Sequence, residues 1–233
     1  MDVREPGSGK SANASRPSGR LIVVGAGGFA REVHWLVRDI NAVHGQVWQV
    51  VGFLGAAGDA TGTLLNNVPV LDEDGVRASR ATHAVVAIGD ASRRLRAAQQ
   101  AAELGLEPAT LVHPSACVDF QTSTIGVGST VCAGACVEPN AAIGDHVSVS
   151  LNASIGHDVH VGDFALVMPQ CHISGFAHLG RGAYLGAGVV VLEHCRIGAG
   201  AVIGAGAVVT ADIPAGATAV GVPARVVGSG GTA

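Results

Sequence analysis

The sequence predicts a small parallel α/β layer followed by a parallel β-helix built from hexapeptide repeats. Two observations predict the second part and one predicts the first. From Ile125 to Val209 the chain reads in sixes, from IGVGST and VCAGAC to IGAGAV, and every six opens on Ile, Val or Leu. The fifth residue of each six is small: Ala, Ser, Cys or Val. A period of six fits neither an α-helix nor a lone strand. It fits a solenoid in which each six is a short strand and a tight turn, with the first and fifth residues pointing inward. Further upstream, the apolar run Leu21 to Val24 leads into a glycine turn, and Val33, Leu36, Val37 and Ile40 then fall on one helical face.

Taken in order, residues 1–19 are polar and rich in Ser, Gly and Pro, the composition of a disordered leader. Residues 20–110 alternate strand, turn and helix. The strands are expected at Leu21 to Val24, Val47 to Leu54 and in HAVVAIGD. Helices are expected from Phe29 and from Ser92 to Leu104, the second with Leu95, Ala98 and Ala102 inward, and the stretch from Gly55 to Glu73 is expected to be loop. Residues 111–227 are the repeats. Val112 and Val118 open two early sixes, and a one-residue slip at FQTSTI precedes the regular register. Three sixes per coil give roughly five to six coils. The segment IPAGATAVGVPARVV, with its two prolines, is expected to cap the last coil, and residues 228–233 to form a loose tail.

Composition agrees with a solenoid. Aromatics make up 3% of the chain against 48% hydrophobic residues, with 34 glycines, as expected of a core of Val, Ile and Ala that needs few rings. The formal charge of −4 argues against a nucleic-acid or membrane-surface partner. No apolar run reaches transmembrane length and no signal-peptide core precedes the first strand, which points to the cytoplasm. The five cysteines lack CxxC spacing and read as reduced thiols.

Gly25-Ala-Gly27-Gly28-Phe-Ala30 lies between a strand and a helix, where backbone N–H groups can hold phosphate. A dinucleotide site would carry an acid at the end of the second strand. Here that end reads Gly52-Phe53-Leu54-Gly55, with no acid before Asp59, so a nucleoside diphosphate is expected rather than NAD. Gly89 and Asp90 end the third strand at the same sheet edge, and Arg93 and Arg94, one turn later, are within reach of a phosphate there or else form a solvated helix face.

Within the repeats, residues eighteen apart share a corner. Pro139, His157, Gly175 and Glu193 form one column of third positions, Asp145, Asp163 and Arg181 a second, and Ala187 and Ala205 belong to a third. His157 is placed at a turn, facing outward, with Asp158 beside it. An imidazole steadied by a carboxylate suits a general base. His160, His178 and Arg196 form a polar column that offers a metal only two good ligands, so no metal is expected. Asp145 and Asp163 read as turn formers.

Three stretches together carry a resemblance: VVGAGGFAREV, the AIGD of the third strand, and LNASIGHDVHVGD around His157, with Ile173-Ser-Gly175 and Gly221-Val-Pro-Ala-Arg225 adding to it. From about residue 20 to 227 the chain resembles the bacterial nucleotide-sugar acetyltransferases and sialic-acid O-acetyltransferase-like proteins. The resemblance implies a left-handed β-helix and a homotrimer with acetyl-CoA between neighbouring prisms. It implies His157 as base, Asp158 as its partner, and a Gly175 N–H near the acetyl carbonyl. It places Ala187 and Ala205 along the pantetheine arm, and the nucleotide of a sugar substrate against Gly25, Gly27, Gly28, Gly89 and Asp90. Two positions depart from the family pattern. Gly55 stands where an Asp facing the nucleobase is common, and Leu166 where some relatives carry a second His. The expected function is acetyl-CoA-dependent N-acetylation of a nucleotide-linked amino-deoxysugar. The alternatives are O-acetylation of a sugar hydroxyl and a non-catalytic sugar-nucleotide-binding scaffold.

Overall fold

Leu21, Ile22, Val23 and Val24 are all buried, and they divide by parity between two cores. Leu21 and Val23 pack with Val33, Leu36, Val37 and Ile40 on one side, while Ile22 and Val24 pack with Val76, Ala97 and Ala101 on the other. A strand apolar at consecutive positions needs cover on both faces, and it receives it. The computed structural model describes residues 19–55 and 61–229. The leader expected over 1–19 lies outside the described residues except for Gly19, which opens the first strand, and Asp59 also lies outside them.

The layer runs β1 (Gly19–Val24), α1 (Gly28–His44), β2 (Trp48–Leu54), β3 (Leu64–Leu65), β4 (Val68–Leu71), α2 (Glu73–Ala78), β5 (His83–Val86), α3 (Ala91–Glu103) and β6 (Glu107–Pro108). The sheet order is β3-β4-β2-β1-β5-β6, parallel except for the β3–β4 hairpin. Two expectations fail here. The stretch read as loop contains that hairpin and α2; Asn66 and Asn67, with φ of 50° and 64°, form the tight turn that two asparagines permit. The buried face of α3 is Arg94, Ala97 and Ala101, while Ala102 is exposed. Hydropathy puts an arginine outside, and this one is inside.

The repeats form a three-sided parallel β-helix. Strands of two residues pair eighteen residues apart: Ser148 with Leu166, Ser154 with His172, and His160 with His178. The face holding Cys117–Val118 and Val208–Val209 has six strands, one per coil, so the prism has six coils. Inward first and fifth positions are sealed, from Val131 and Ala135 to Val209 and Ala207. The second position is so often Gly because its Cβ would strike the next coil; at Gly162 it would lie 2.6 Å from the Arg181 nitrogen. The fourth position is left-handed along the prism, and the sequence hides this. Asn140, Asn152 and Asp158 suit such a φ, but Phe164 and Phe176 at 60° and His194 at 63° do not favour it. The end is closed by Ala217–Val220, which extends one face, and by Arg225–Ser229, which turns back antiparallel to it. The tail expected from residue 228 therefore begins inside a strand, and residues 230–233 lie outside the described residues.

The α/β layer sits on one face of the prism. Leu111 points outward from that face and belongs to the α1 core. The outward residues Thr130, Ser148 and Leu166 on the same face are fully buried, whereas His172 and His160 on the other two faces are exposed. Arg94 donates to the His146 carbonyl at 2.6 Å, and His113 bonds Asp39 of α1 at 3.1 Å. His157 lies between strands Ser154–Ile155 and His160–Val161, which belong to the two uncovered faces. Its corner is therefore opposite the face that carries the α/β layer.

Candidate active site

The first half of the site is a cleft of about 570 Å³ at the carboxyl edge of the α/β sheet. Gly25, Gly27, Gly28 and Gly89 line it, as does Gly55 at the end of β2. These glycines differ in what they do. Gly25 has φ of 122°, and a Cβ there would lie 2.7 Å from the Ala87 carbonyl, so it shapes the turn. A Cβ at Gly27, Gly28 or Gly89 would meet nothing within 4 Å, so these three keep space open. Gly27 caps α1 without any side-chain hydrogen bond, whereas α2 and α3 are capped by the carboxylates of Asp72 and Asp90. The free N–H groups of α1, joined by Arg93 and Arg96 and by no acid among the described lining residues, suit an anionic ligand.

Two expected contacts are corrected. Asp90 is not part of the lining. Its carboxylate accepts hydrogen bonds from the Ser92 hydroxyl and the Arg93 N–H, both at 2.7 Å, and the Ser92 bond leads in holding it below the usual carboxylate range. Arg94 cannot reach a phosphate in the cleft. It is 0% exposed, and it donates to the carbonyls of Val86, Ile88 and His146, tying the cleft floor to the prism. Burial pulls its guanidinium down to about 10, still cationic at neutral pH, and burial followed by Arg94 holds the His146 imidazole below its ordinary range.

The second half is the corner at His157. The imidazole is half exposed, and its Nδ1 lies 3.0 Å from Asp158 Oδ2. A carboxylate only accepts, so Nδ1 carries the proton and Nε2 presents a lone pair. Gly175, one coil on, lies directly beneath the ring. A Cβ there would sit 2.6 Å from Cε1 and Nε2 of His157. Among the described residues the Gly175 N–H has no acceptor. Two further residues, Glu138 and Phe176, escaped the sequence reading. Glu138 Oε2 accepts the His157 backbone N–H at 3.0 Å, and Phe176 meets the imidazole edge-on with ring centroids 5.1 Å apart. The signal for both was the eighteen-residue stack: Phe176 stands one coil below Asp158, and Glu138 one coil above Gly156.

Ala187 and Ala205 lie on a different corner, between the covered face and the face of His172, and within one chain they do not meet His157. Their N–H groups also lack acceptors among the described residues, and their small side chains leave that edge open. His160 and His178 stack with centroids 4.8 Å apart, and Arg196 registers next to them. Asp163 and Asp145 work as turn formers, each accepting the third-position N–H one coil earlier, at 2.9 and 2.8 Å. Leu166 is buried.

A prism of hexapeptide repeats with an imidazole–carboxylate pair at an open corner, joined to a cleft built for an anion, defines a hexapeptide-class acyltransferase. Residues 20–101 match the PglD N-terminal domain, and residues 158–192 and 176–211 match the bacterial transferase hexapeptide of six repeats. The chain is similar to PerB from Caulobacter crescentus, solved in complex with CoA and GDP-perosamine, at 29% identity and TM-score 0.80 over 90% of this chain and 98% of that one. It is similar to the acetyltransferase domain of PglB from Neisseria gonorrhoeae in complex with acetyl coenzyme A, at 30% identity and TM-score 0.77 over 89% and 98%. It is similar to WeeI from Acinetobacter baumannii at 30% identity and TM-score 0.78 over 89% and 100%. No curated protein matches it. The chain belongs to this family of bacterial nucleotide-sugar acetyltransferases, with a PglD-type domain ahead of a left-handed β-helix. No helix among the described residues is long and apolar enough to cross a membrane.

Proposed function

We propose that the protein transfers an acetyl group from acetyl-CoA to the amine of a nucleotide-linked amino-deoxysugar. The observation that carries this is the exposed His157–Asp158 pair over Gly175, in a chain that also carries a cleft suited to an anion. His157 Nε2 takes a proton as the amine attacks the thioester. Asp158 fixes the tautomer and steadies the imidazolium. The Gly175 N–H donates to the oxyanion, and the imidazolium returns its proton to the departing thiolate. Gly27, Gly28 and Gly89, with Arg93 and Arg96, hold the diphosphate. The structures of PerB and of the PglB domain, with CoA and acetyl coenzyme A respectively, support the donor, and GDP-perosamine in PerB supports the acceptor class.

The working unit is a homotrimer. The cleft floor is tied to the prism at His146, a different corner from that of His157, and we read the base of one chain as serving a neighbour's cleft. Ala187 and Ala205 of one chain would then face His157 of the next, with the pantetheine arm between them. Phe176 and Leu192, exposed apolar residues at the His157 corner, are surface that such a neighbour would cover. Acetyl-CoA supply places the reaction in the cytoplasm.

The test is thiol release from acetyl-CoA across UDP-, dTDP- and GDP-linked amino sugars and their hydroxyl counterparts, with product mass read for each. Amine-dependent release with an N-acetylated product is expected. Release with hydroxyl acceptors alone would overturn the reading in favour of O-acetylation, and no acceptor-dependent release would overturn it altogether.

A further inference from the structure

Glu138 is the only acidic or basic residue at the second positions of the regular repeats, which are otherwise mostly glycine. Second-position side chains point along the prism toward the next coil, and the carboxylate of Glu138 reaches the His157 corner there. One oxygen accepts the His157 N–H at 3.0 Å, which leaves the other without a partner among the described residues. No Lys or Arg pairs with this carboxylate among the described residues. The turns of this corner, Glu138 to Asn140, Gly156 to Asp158, Ser174 to Phe176 and Leu192 to His194, hold three acids and no Lys or Arg. The cleft has the opposite character: Arg93 and Arg96 and no acid among its described lining residues. The two halves thus match a molecule that is anionic at one end and cationic at the other.

We infer that Glu138 is a specificity-determining residue: its carboxylate receives the protonated amine of the acceptor and selects an amine over a hydroxyl. This rests on the N-acetyltransferase reading above. The ammonium docks between Glu138 and His157 and sheds one proton to solvent. The second proton passes to His157 Nε2 as the C–N bond forms at the thioester carbon. The C–S bond then breaks, and the thiolate takes the proton back from the imidazolium. Each turnover yields one amide, one thiol and one proton released. A hydroxyl acceptor has no cation to offer and leaves Glu138 unused. An acceptor that carries its own carboxylate at this end is repelled.

The test uses the full-length enzyme. Glu138→Gln keeps an oxygen for the His157 N–H and removes the charge. The acceptor KM for a nucleotide-linked amine is expected to rise about tenfold or more, the usual worth of a hydrogen bond to a charged group. The kcat and the KM for acetyl-CoA should stay near wild type, and the preference for the amine over its hydroxyl counterpart should shrink by the same factor. Glu138→Ala should lose kcat as well, because the base's backbone loses its anchor. Unchanged amine KM in Glu138→Gln, or an equal rise for the amine and the hydroxyl acceptor, overturns the role and leaves the N-acetyltransferase reading standing. A wild-type enzyme that acetylates hydroxyl acceptors alone overturns both.

Discussion

Replacing Gly175 with alanine puts one methyl group against the proposed base. The added Cβ would lie 2.6 Å from Cε1 and Nε2 of His157, where ordinary contact begins at 3.4 Å. Gly175 is not among the residues with positive φ, so alanine meets no backbone strain there. Gly175 lies between the strands His172–Ile173 and His178–Leu179, whose pairing with the neighbouring coils the substitution leaves in place. What must move is the imidazole, by about 1 Å, and a displacement of that size in a reacting group can cost about a hundredfold in rate. The ring is half exposed and can swing out, so the fold should lose less than about 1 kcal/mol. Thiol release under saturating substrates should show kcat falling about a hundredfold. The melting temperature and both KM values should stay near those of the wild type. A variant that keeps more than about a tenth of wild-type kcat would refute the claim that this ring position is used. Loss of kcat together with a large fall in melting temperature would mean that Gly175 matters to folding instead.

Other outcomes follow from the same geometry. His157→Ala should lose about 10² to 10⁴ in kcat with both KM values little changed, Asp158→Ala should lose less, and His160→Ala, outside the site, should stay active; steady-state kinetics checks all three. Gly27→Val adds a side chain where nothing lies within 4 Å, so the fold should tolerate it, while the acceptor KM rises and the acetyl-CoA KM does not. Asp90→Ala removes the cap of α3 and should cost about 1 kcal/mol in denaturant unfolding with kcat unchanged. Because the folded state holds the Asp90 carboxyl below its usual range, that contribution is present above the unfolded value of about 3.9 and is lost as pH falls through the folded value. The stability gap between wild type and Asp90→Ala should therefore close in acid.

The prism was legible because its constraint is local and repeated: the first and fifth residues face a packed core, so Val131 and Ala135 announce themselves in every block. His157 was legible because register puts a third-position residue outward. What hid from sequence were features set across coils and between the two parts. Arg94 looks like a surface arginine, and only the assembled chain offers its buried guanidinium the carbonyls of Val86, Ile88 and His146. Asp90 follows a glycine at the carboxyl edge of the sheet, but it also precedes a helix, and its carboxylate caps that helix. Phe164 and Phe176 hold left-handed turns that aromatic residues disfavour, which local preference does not forecast. The hairpin at Asn66 and Asn67 does carry a sequence signal, the paired asparagines between short apolar runs.

The central claim is that the cleft of one chain and the base of its neighbour make one site. Co-expression of His157→Ala with Gly27→Val chains tests it directly. The first variant keeps its cleft and lacks the base; the second keeps the base and has a filled cleft. Measured with acceptor well below the KM of the Gly27→Val enzyme, mixed trimers should recover activity toward about a quarter of wild type. That is the share of neighbouring pairs, in a random mixture, that join an intact cleft to an intact base. Activity no greater than the sum of the two variants assembled separately would contradict a site shared between chains.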